Sequence, residues 1–221
     1  MLYIISTPIG NLDDISNRAK ETLEKIEYLL CEDTRNAGIL LINLRIKNKP
    51  KLISFYDEVE DQKIPEVMRL LGEEKNIGLV TDAGTPVISD PGYKLIKKCH
   101  KMGYKVTSIP GACAAINALV LSGLSSGRFS FLGFLPKKSG ERIKILKKYQ
   151  DFEGSKIVYE SPFRLIKLIE DIKKVYGHET QISVCREMTK KFEEIIIGSA
   201  EIVLEKIKNK NIKGELVIIF E

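Results

Sequence analysis

The sequence predicts an α/β protein of two domains. Short apolar runs alternate with amphipathic helical stretches from the first residue onward, which is typical of a parallel sheet covered by helices on both faces. In the second half fewer helices separate the apolar runs, and this indicates a mixed sheet. The length of 221 residues suits one large domain or two of about 110 residues each.

The first half contains five predicted strands separated by helices. The strands are short, mostly apolar stretches, and the five occupy residues 2–5, 28–31, 52–55, 77–81 and 106–109. Helices are predicted over about 16–26 and 34–44. A third helix is predicted where Ile64, Val67, Met68 and Leu71 fall on one face, and a fourth around Leu95 and Cys99.

The second half begins with a helix of small residues from about Cys113 to Leu121. The Ser/Gly-rich stretch 122–127 after it is predicted to be a linker or turn, so the domains are placed at 1–112 and 113–221. Further strands are predicted at 129–134, 156–159, 182–185, 193–197 and 215–220, with helices at about 139–149 and 202–207. Ser161 and Pro162 are predicted as the N-cap and first residue of another helix.

Composition excludes several classes of protein. No apolar stretch approaches the roughly 20 residues of a membrane span, and no basic residue precedes the apolar N-terminus, so a cytoplasmic location is expected. The four cysteines are scattered and there are only two histidines, so neither a metal site nor a catalytic triad is predicted. A net charge of +5 is compatible with a polyanionic partner but does not require one.

Four loops that directly follow predicted strands have unusual compositions. Ligands of open α/β sheets bind beyond the carboxyl ends of the strands, so these loops are the candidate site. They are Ser6–Leu12 (STPIGNL), Cys31–Arg35 (CEDTR), Thr81–Gly92 (TDAGTPVISDPG) and Ile109–Ala115 (IPGACAA). The third is the most specific, because two Gly and two Pro in twelve residues indicate a fixed, irregular backbone that an ordinary connection rarely needs.

The ordered motifs of the chain resemble the ribosomal RNA small subunit methyltransferase I family, within the tetrapyrrole methylase superfamily. The four loops are followed by FLGFLPKK at 131–138, YESPFR at 159–164 and CREMTKKFE at 185–193. The resemblance implies two α/β domains with S-adenosylmethionine in the cleft between them, and a homodimer. It also implies 2'-O-methylation of a cytidine ribose in 16S rRNA, in the decoding centre of the small ribosomal subunit.

The resemblance also implies which residues contact the two ligands. The expected cofactor contacts are Pro8, Asp82, Ala83, Gly84, Thr85, Pro110, Gly111, Ala112, Cys113, Tyr159 and Glu215. The expected RNA contacts are Lys137, Lys138, Arg142, Arg164, Arg186 and Lys190. Asp33 is the candidate base for the ribose hydroxyl, and Arg35 is the candidate residue that orients the RNA backbone.

The chain departs from the family pattern at two points. Phe163 occupies a place often held by His, so no acid–base role is assigned there. The chain ends just after the last predicted strand, whereas many members carry a further C-terminal helical segment.

Two alternatives remain open at this stage. The first is a tetrapyrrole C-methyltransferase of the cobalt-precorrin type, although Thr7–Gly10 and Thr81–Gly84 do not match the glycine-rich loops of that group. The second is a non-catalytic RNA-binding relative, and the intact third loop argues against it. The basic stretch 137–148 favours phosphate contacts, and a solvated helix face is its simpler explanation.

Overall fold

The computed structural model describes residues 1–221 and divides into two compact units, Met1–Cys113 and Ala114–Glu221. The predicted domain boundary after residue 112 differs from this division by one residue. None of the helices combines the length and apolarity that a membrane crossing needs.

The first unit is built on a parallel sheet of five strands. They are β1 (Leu2–Ile5), β2 (Tyr28–Cys31), β3 (Lys51–Ser54), β4 (Ile77–Leu79) and β5 (Val106–Ile109), in the order β3-β2-β4-β1-β5. The helices are α1 (Asn17–Lys25), α2 (Thr34–Asn43), α3 (Asp57–Gly72) and α4 (Tyr93–Lys101). The predicted strands and helices of this half are confirmed. Strands β1, β2 and β5 match to the residue, the other elements are shifted by a few residues at their ends, and α3 begins as early as Asp57.

The strand order places the chain reversal between β1 and β4. The connection after β1 runs through α1 to β2, whereas the connection after β4 runs through α4 to β5 on the other side. Buried residues of α1 and α2 therefore share one core with one face of the sheet, while those of α3 and α4 share a second core with the opposite face. The loops after β1 and β4 leave neighbouring strands toward opposite faces, which is the geometry that opens a ligand crevice in such sheets.

The second unit contains a mixed sheet, as predicted. Its strands are β6 (Phe129–Phe134), β7 (Ser155–Glu160), β8 (Gln181–Arg186), β9 (Glu194–Ser199) and β10 (Leu216–Phe220), in the order β6-β7-β10-β8-β9. Only β6 and β7 pair in parallel. β10 is central and buried along its whole length, which explains its unbroken apolar sequence LVIIF.

Helices cover both faces of this second sheet. α6 (Ser139–Lys148), α7 (Leu165–Tyr176) and α8 (Ala200–Lys208) share a core with one face, and α5 (Ala114–Ser122) packs against the other. The predicted N-cap at Ser161 and first helical residue at Pro162 are confirmed for a 3-10 turn, Pro162–Arg164, and the α-helix α7 begins directly after it, at Leu165. The Ser161 side chain makes no capping hydrogen bond, and its N–H donates to the Glu160 carboxylate.

Candidate functional site

The loops after β1 and β4 are joined by hydrogen bonds of neutral groups. The N–H of Thr7 donates to the Gly84 carbonyl at 2.8 Å, and the Thr7 hydroxyl donates to the Thr81 carbonyl at 3.2 Å. Thr7 is buried, so these bonds are shielded from water. The two connections that diverge at the chain reversal are therefore held as one surface.

Thr85 and Gly111 bring the loop after β5 onto the same surface. The Thr85 hydroxyl donates to the Ala112 carbonyl at 2.8 Å and lies 3.0 Å from the Ser6 hydroxyl. A Cβ added at Gly111 would lie 2.8 Å from the Cβ of Ser6, closer than such atoms approach. Gly is required at position 111 by this close contact, which brings the loop after β5 against the end of β1.

The loop after β2 is joined to the loop after β4 by the carboxylate of Glu32, a residue with no predicted role. Glu32 accepts a hydrogen bond from the Thr81 hydroxyl and one from the N–H of Asp82 at 3.4 Å. Asn36, on the first turn of α2, donates to the Asp82 carboxylate at 2.7 Å. All four predicted loops thus form one edge of the sheet. Nine of the predicted cofactor contacts lie on it. Pro8 is in the first loop, residues 82–85 are in the third and residues 110–113 are in the fourth.

The loop Thr81–Gly92 has a strained backbone in addition to its hydrogen bonds. Val87 and Ser89 have φ of 76° and 71°, a region that side-chain-bearing residues rarely adopt and that β-branched residues especially avoid. Its far end is held by Glu60 of α3, a buried carboxylate that accepts from the N–H of Gly92 at 3.1 Å. Glu60 lies far from the motif in sequence, so no local signal pointed to it.

Asp33 and Asp90 have opposite electrostatic environments at this edge. The Arg35 guanidinium and backbone N–H hydrogen-bond the Asp33 carboxylate and lower its pKa to about 2. Partial burial, together with the charge of Glu32, raises the pKa of Asp90 to about 6. Asp33 is also the N-cap of α2, because its carboxylate accepts from the N–H of Arg35. Its role as the base for the ribose hydroxyl stays a prediction.

In the second unit the topology also gathers the predicted residues at one edge of the sheet. β7 and β8 end at this edge and β9 and β10 begin there, because β10 runs antiparallel to both of its neighbours. β6 ends there too. The predicted contacts of this unit lie in the connecting segments or at the strand ends of that edge, and they are Lys137, Lys138, Tyr159, Arg164, Arg186, Lys190 and Glu215.

Arg142 is the exception, and its predicted contact with RNA is wrong. Its side chain is only 2% exposed, and Nε donates to the Asp171 carboxylate at 2.7 Å. Nη1 donates to the carbonyls of Pro136 at 3.2 Å and of Lys137 at 3.4 Å. Arg142 therefore holds the loop after β6 from the protein interior, where its side chain is not accessible to a ligand.

Three other predicted RNA contacts are engaged in ion pairs. Arg164 Nε donates to Glu160 at 2.5 Å, and Nη1 donates to the Leu135 carbonyl at 3.2 Å. Arg186 pairs with Glu194 at 3.2 Å. Lys190 pairs with Glu187 at 3.1 Å and with Glu215, a predicted cofactor contact, at 2.7 Å.

The remaining predicted residues of the second unit differ in their availability. Lys137 and Lys138 are exposed, and the nearest carboxylate to Lys138 is that of Glu141 at 3.8 Å. Tyr159 is half-buried, and its hydroxyl accepts from the N–H of Ala115 at 3.2 Å, at the start of α5. The lysines are therefore the predicted RNA contacts most open to a polyanion.

The fold and the first-unit edge define a class of methylases. Residues 1–203 match the family of tetrapyrrole (corrin/porphyrin) methylases. The fold is similar to that of uroporphyrin-III C-methyltransferase from Thermus thermophilus, with a TM-score of 0.68 at 16% identity over 99% of this chain and 93% of that chain. It is similarly close to cobalt-precorrin-4 methyltransferase, a cobalamin biosynthetic enzyme, with a TM-score of 0.67 at 15% identity and the same coverage. At these identities the likeness shows the fold alone.

Sequence relatives narrow the class. The chain is 43% identical to the ribosomal RNA small subunit methyltransferase I of Haemophilus influenzae, over 100% of this chain and 78% of that protein. It is 43% identical to the protein of the same name from Hydrogenobaculum, over 99% of this chain and 94% of that protein, and 43% identical to the one from Escherichia coli O157:H7, over 100% and 77%. The chain belongs to the ribosomal RNA small subunit methyltransferase I family.

Proposed function

We propose that this protein transfers a methyl group from S-adenosylmethionine to the ribose 2'-hydroxyl of a cytidine in the 16S rRNA of the small ribosomal subunit. The observation that carries the proposal is the convergence of four strand-end loops into one hydrogen-bonded edge at the chain reversal of a methylase sheet. Family membership supports the choice of small-subunit rRNA as the substrate.

The residues at the first-unit edge fit this methyl donor. The donor carries a positively charged sulfur that activates its methyl group. Glu32, Asp82 and Asp90 supply carboxylates at the edge, and such groups attract a cation. The small side chain of Ala83 and the absence of one at Gly111 leave exposed backbone available to polar groups of a ligand.

The protein's contribution to the reaction is chiefly positional. The hydrogen bonds of Thr7 and Thr85 hold the edge in one conformation, including the unfavourable backbone at Val87, so little ordering is required when the donor binds. Lys137 and Lys138 supply positive charge for RNA phosphates. Tyr159 and Glu215 stay predicted cofactor contacts, and a cytoplasmic homodimer stays the expected state.

Binding of the donor is the first test. Calorimetry should show S-adenosylmethionine binding to the wild-type protein and weaker binding to Thr85→Val, which keeps the side-chain shape but loses the bonds to Ala112 and Ser6. Thr107→Val, whose hydroxyl takes no part in this network, is the matched control. No binding by the wild-type protein would contradict the proposal.

Transfer is the second test. Radiolabelled donor is offered to undermethylated small ribosomal subunits, to free 16S rRNA and to uroporphyrinogen III. We expect label on the ribose of one cytidine in the subunits. Label on the tetrapyrrole alone would replace this function with tetrapyrrole C-methylation, and donor binding without transfer to any of the three would contradict the assigned substrate.

A further inference from the structure

Phenylalanine is unevenly distributed over the surface of the second unit. Of the eight phenylalanines in the chain, three are more than half exposed: Phe134 (61%), Phe163 (95%) and Phe192 (63%). All three lie at the sheet edge that carries Lys137 and Lys138, since Phe134 ends β6, Phe163 follows β7 and Phe192 precedes β9. Single exposed apolar residues are ordinary, but folding does not explain their concentration at one edge.

Phe163 is held in place by its neighbours while its own side chain stays outside the core. It is the middle residue of the turn Pro162–Arg164, whose φ is restricted at Pro162. The turn is anchored on Glu160, whose buried carboxylate accepts from the N–H of Ser161 at 2.7 Å and from Arg164 at 2.5 Å. The chain therefore presents the Phe163 ring to solvent from a fixed base.

Phe134 belongs to the same rigid assembly. Its ring lies edge-on against Tyr159, with 5.5 Å between ring centroids. Arg164 joins the two segments, because it follows Phe163 in the chain and donates to the carbonyl of Leu135, which follows Phe134. Arg142 fixes the next two residues, Pro136 and Lys137, from below. Two exposed rings and two exposed lysines are thus carried on neighbouring loops that the buried Arg142 and the half-buried Arg164 hold together.

We propose that Phe163 and Phe134 are stacking platforms for unpaired bases of the RNA substrate, and that Lys137 and Lys138 hold the adjoining phosphates. The inference rests on the proposed function. Proteins bind single-stranded RNA by stacking bases on exposed aromatic rings beside cations that contact the backbone, and the edge combines these two groups. An apolar protein partner has no equivalent need for the lysines. Arg164, which pairs with Glu160, is a positioning residue for this platform.

The chain has no tryptophan, which permits a direct spectroscopic test. In Phe163→Trp the new indole is the only one in the protein, and we expect its fluorescence to be quenched when undermethylated small ribosomal subunits are added. Phe129→Trp is the matched control, because Phe129 is 42% exposed and lies at the opposite end of β6, about 17 Å along the strand from Phe134. Unchanged fluorescence of Phe163→Trp at saturating subunits would overturn the proposal.

A substitution series separates stacking from apolar contact. Single-turnover methyl transfer to the same subunits is measured for Phe163→Ala, Phe163→Leu and Phe163→Trp. Loss of one stacked base predicts a half-saturating subunit concentration about 5- to 150-fold higher for Ala and Leu, with Trp close to wild type. Because the side chain is almost fully exposed, the melting temperature should not change.

The outcomes distinguish this inference from the function on which it rests. If the wild-type protein does not methylate small subunits, the proposed function fails. If it does, and Phe163→Ala has a wild-type half-saturating concentration, the stacking platform fails. A half-saturating concentration of Phe163→Leu equal to that of the wild type would also overturn the stacking platform. So would a Phe163→Ala variant that differs from the wild type only in its oligomeric mass, because the ring would then belong to a contact between proteins.

Discussion

The two sheet edges are held together by different physical means. The first-unit edge depends on hydroxyl and backbone hydrogen bonds and on a glycine contact, with Thr7, Thr85 and Gly111 at its centre. The second-unit edge depends on ion pairs, with Arg142 and Arg164 buried or half-buried beneath exposed lysines. At the first edge hydroxyl and N–H donors bond carbonyls and the carboxylates of Glu32 and Glu60, with no ion pair between the loops, whereas at the second edge the arginines pair with carboxylates beneath loops whose exposed groups are cations. In the second unit, four of the six basic residues predicted to contact RNA are therefore engaged in ion pairs within the protein, and only Lys137 and Lys138 remain open.

Removing a supporting arginine should have the largest effect. Arg142→Leu leaves the buried Asp171 carboxylate without its partner, and we expect the free energy of unfolding to fall by about 3–5 kcal/mol in urea titrations. The double variant Arg142→Leu/Asp171→Leu should recover most of this loss. Lys144→Ala, an exposed position on the same helix, serves as the control. A loss below about 1 kcal/mol would mean that the second edge does not depend on this ion pair.

The corresponding change at the first edge is steric. Gly111→Ala places a Cβ 2.8 Å from that of Ser6, and the resulting shift should weaken S-adenosylmethionine binding by about 1–3 kcal/mol, measured by calorimetry. Gly38→Ala, where a Cβ meets nothing within 4 Å, should leave binding unchanged. Equal affinities for the two variants would show that the close contact does not shape the donor site.

Acid should affect stability and donor binding in opposite directions through Asp90. Its raised pKa, about 6, means that folding disfavours the ionised carboxylate, so the free energy of unfolding should increase as the pH falls from 7 to 5. The same protonation removes a negative charge that attracts the donor cation, so affinity should fall over that range. Asp33, with its pKa near 2, contributes nothing in this window.

Asp90→Asn isolates this contribution from other groups that titrate between pH 5 and 7. Both pH dependences should become flatter in the variant, as followed by urea titration and calorimetry. If wild type and Asp90→Asn respond alike, the carboxylate at position 90 is not responsible.

The exposed lysines should give the smallest effect, visible chiefly in the dependence on salt. Lys137→Ala and Lys138→Ala should each reduce the slope of log K against log salt for RNA binding by about 0.7–0.9, the value for one phosphate contact. Lys101→Ala, exposed on α4 of the first unit, should leave the slope unchanged. An unchanged slope for both edge lysines would remove them from the RNA contacts.

Local patterns were sufficient for the elements and for the choice of loops. The strands 28–31, 106–109 and 129–134 were predicted to the residue from short stretches of apolar, aromatic and β-branched residues. The loop Thr81–Gly92 was recognisable because its two Pro residues restrict the backbone and its two Gly residues permit conformations that other residues avoid. Such signals are contained in a few consecutive residues, so no knowledge of distant contacts is needed to interpret them.

The roles of individual charged residues were decided only by the tertiary structure. Arg142 and Lys137 stand five positions apart in one basic stretch, yet one is buried against Asp171 and the other is exposed. Glu60 supports the first edge and Glu160 supports the second. Glu60 belongs to no motif, and Glu160 lies within the motif YESPFR but was not predicted to have a role. The sequence by itself determined which segments form the two edges, because backbone preferences are local. Whether a charged side chain faces solvent depends on which partner packing brings to it. The partners here are about 30 residues apart in the chain, as for Arg142 with Asp171 and for Glu60 with Gly92.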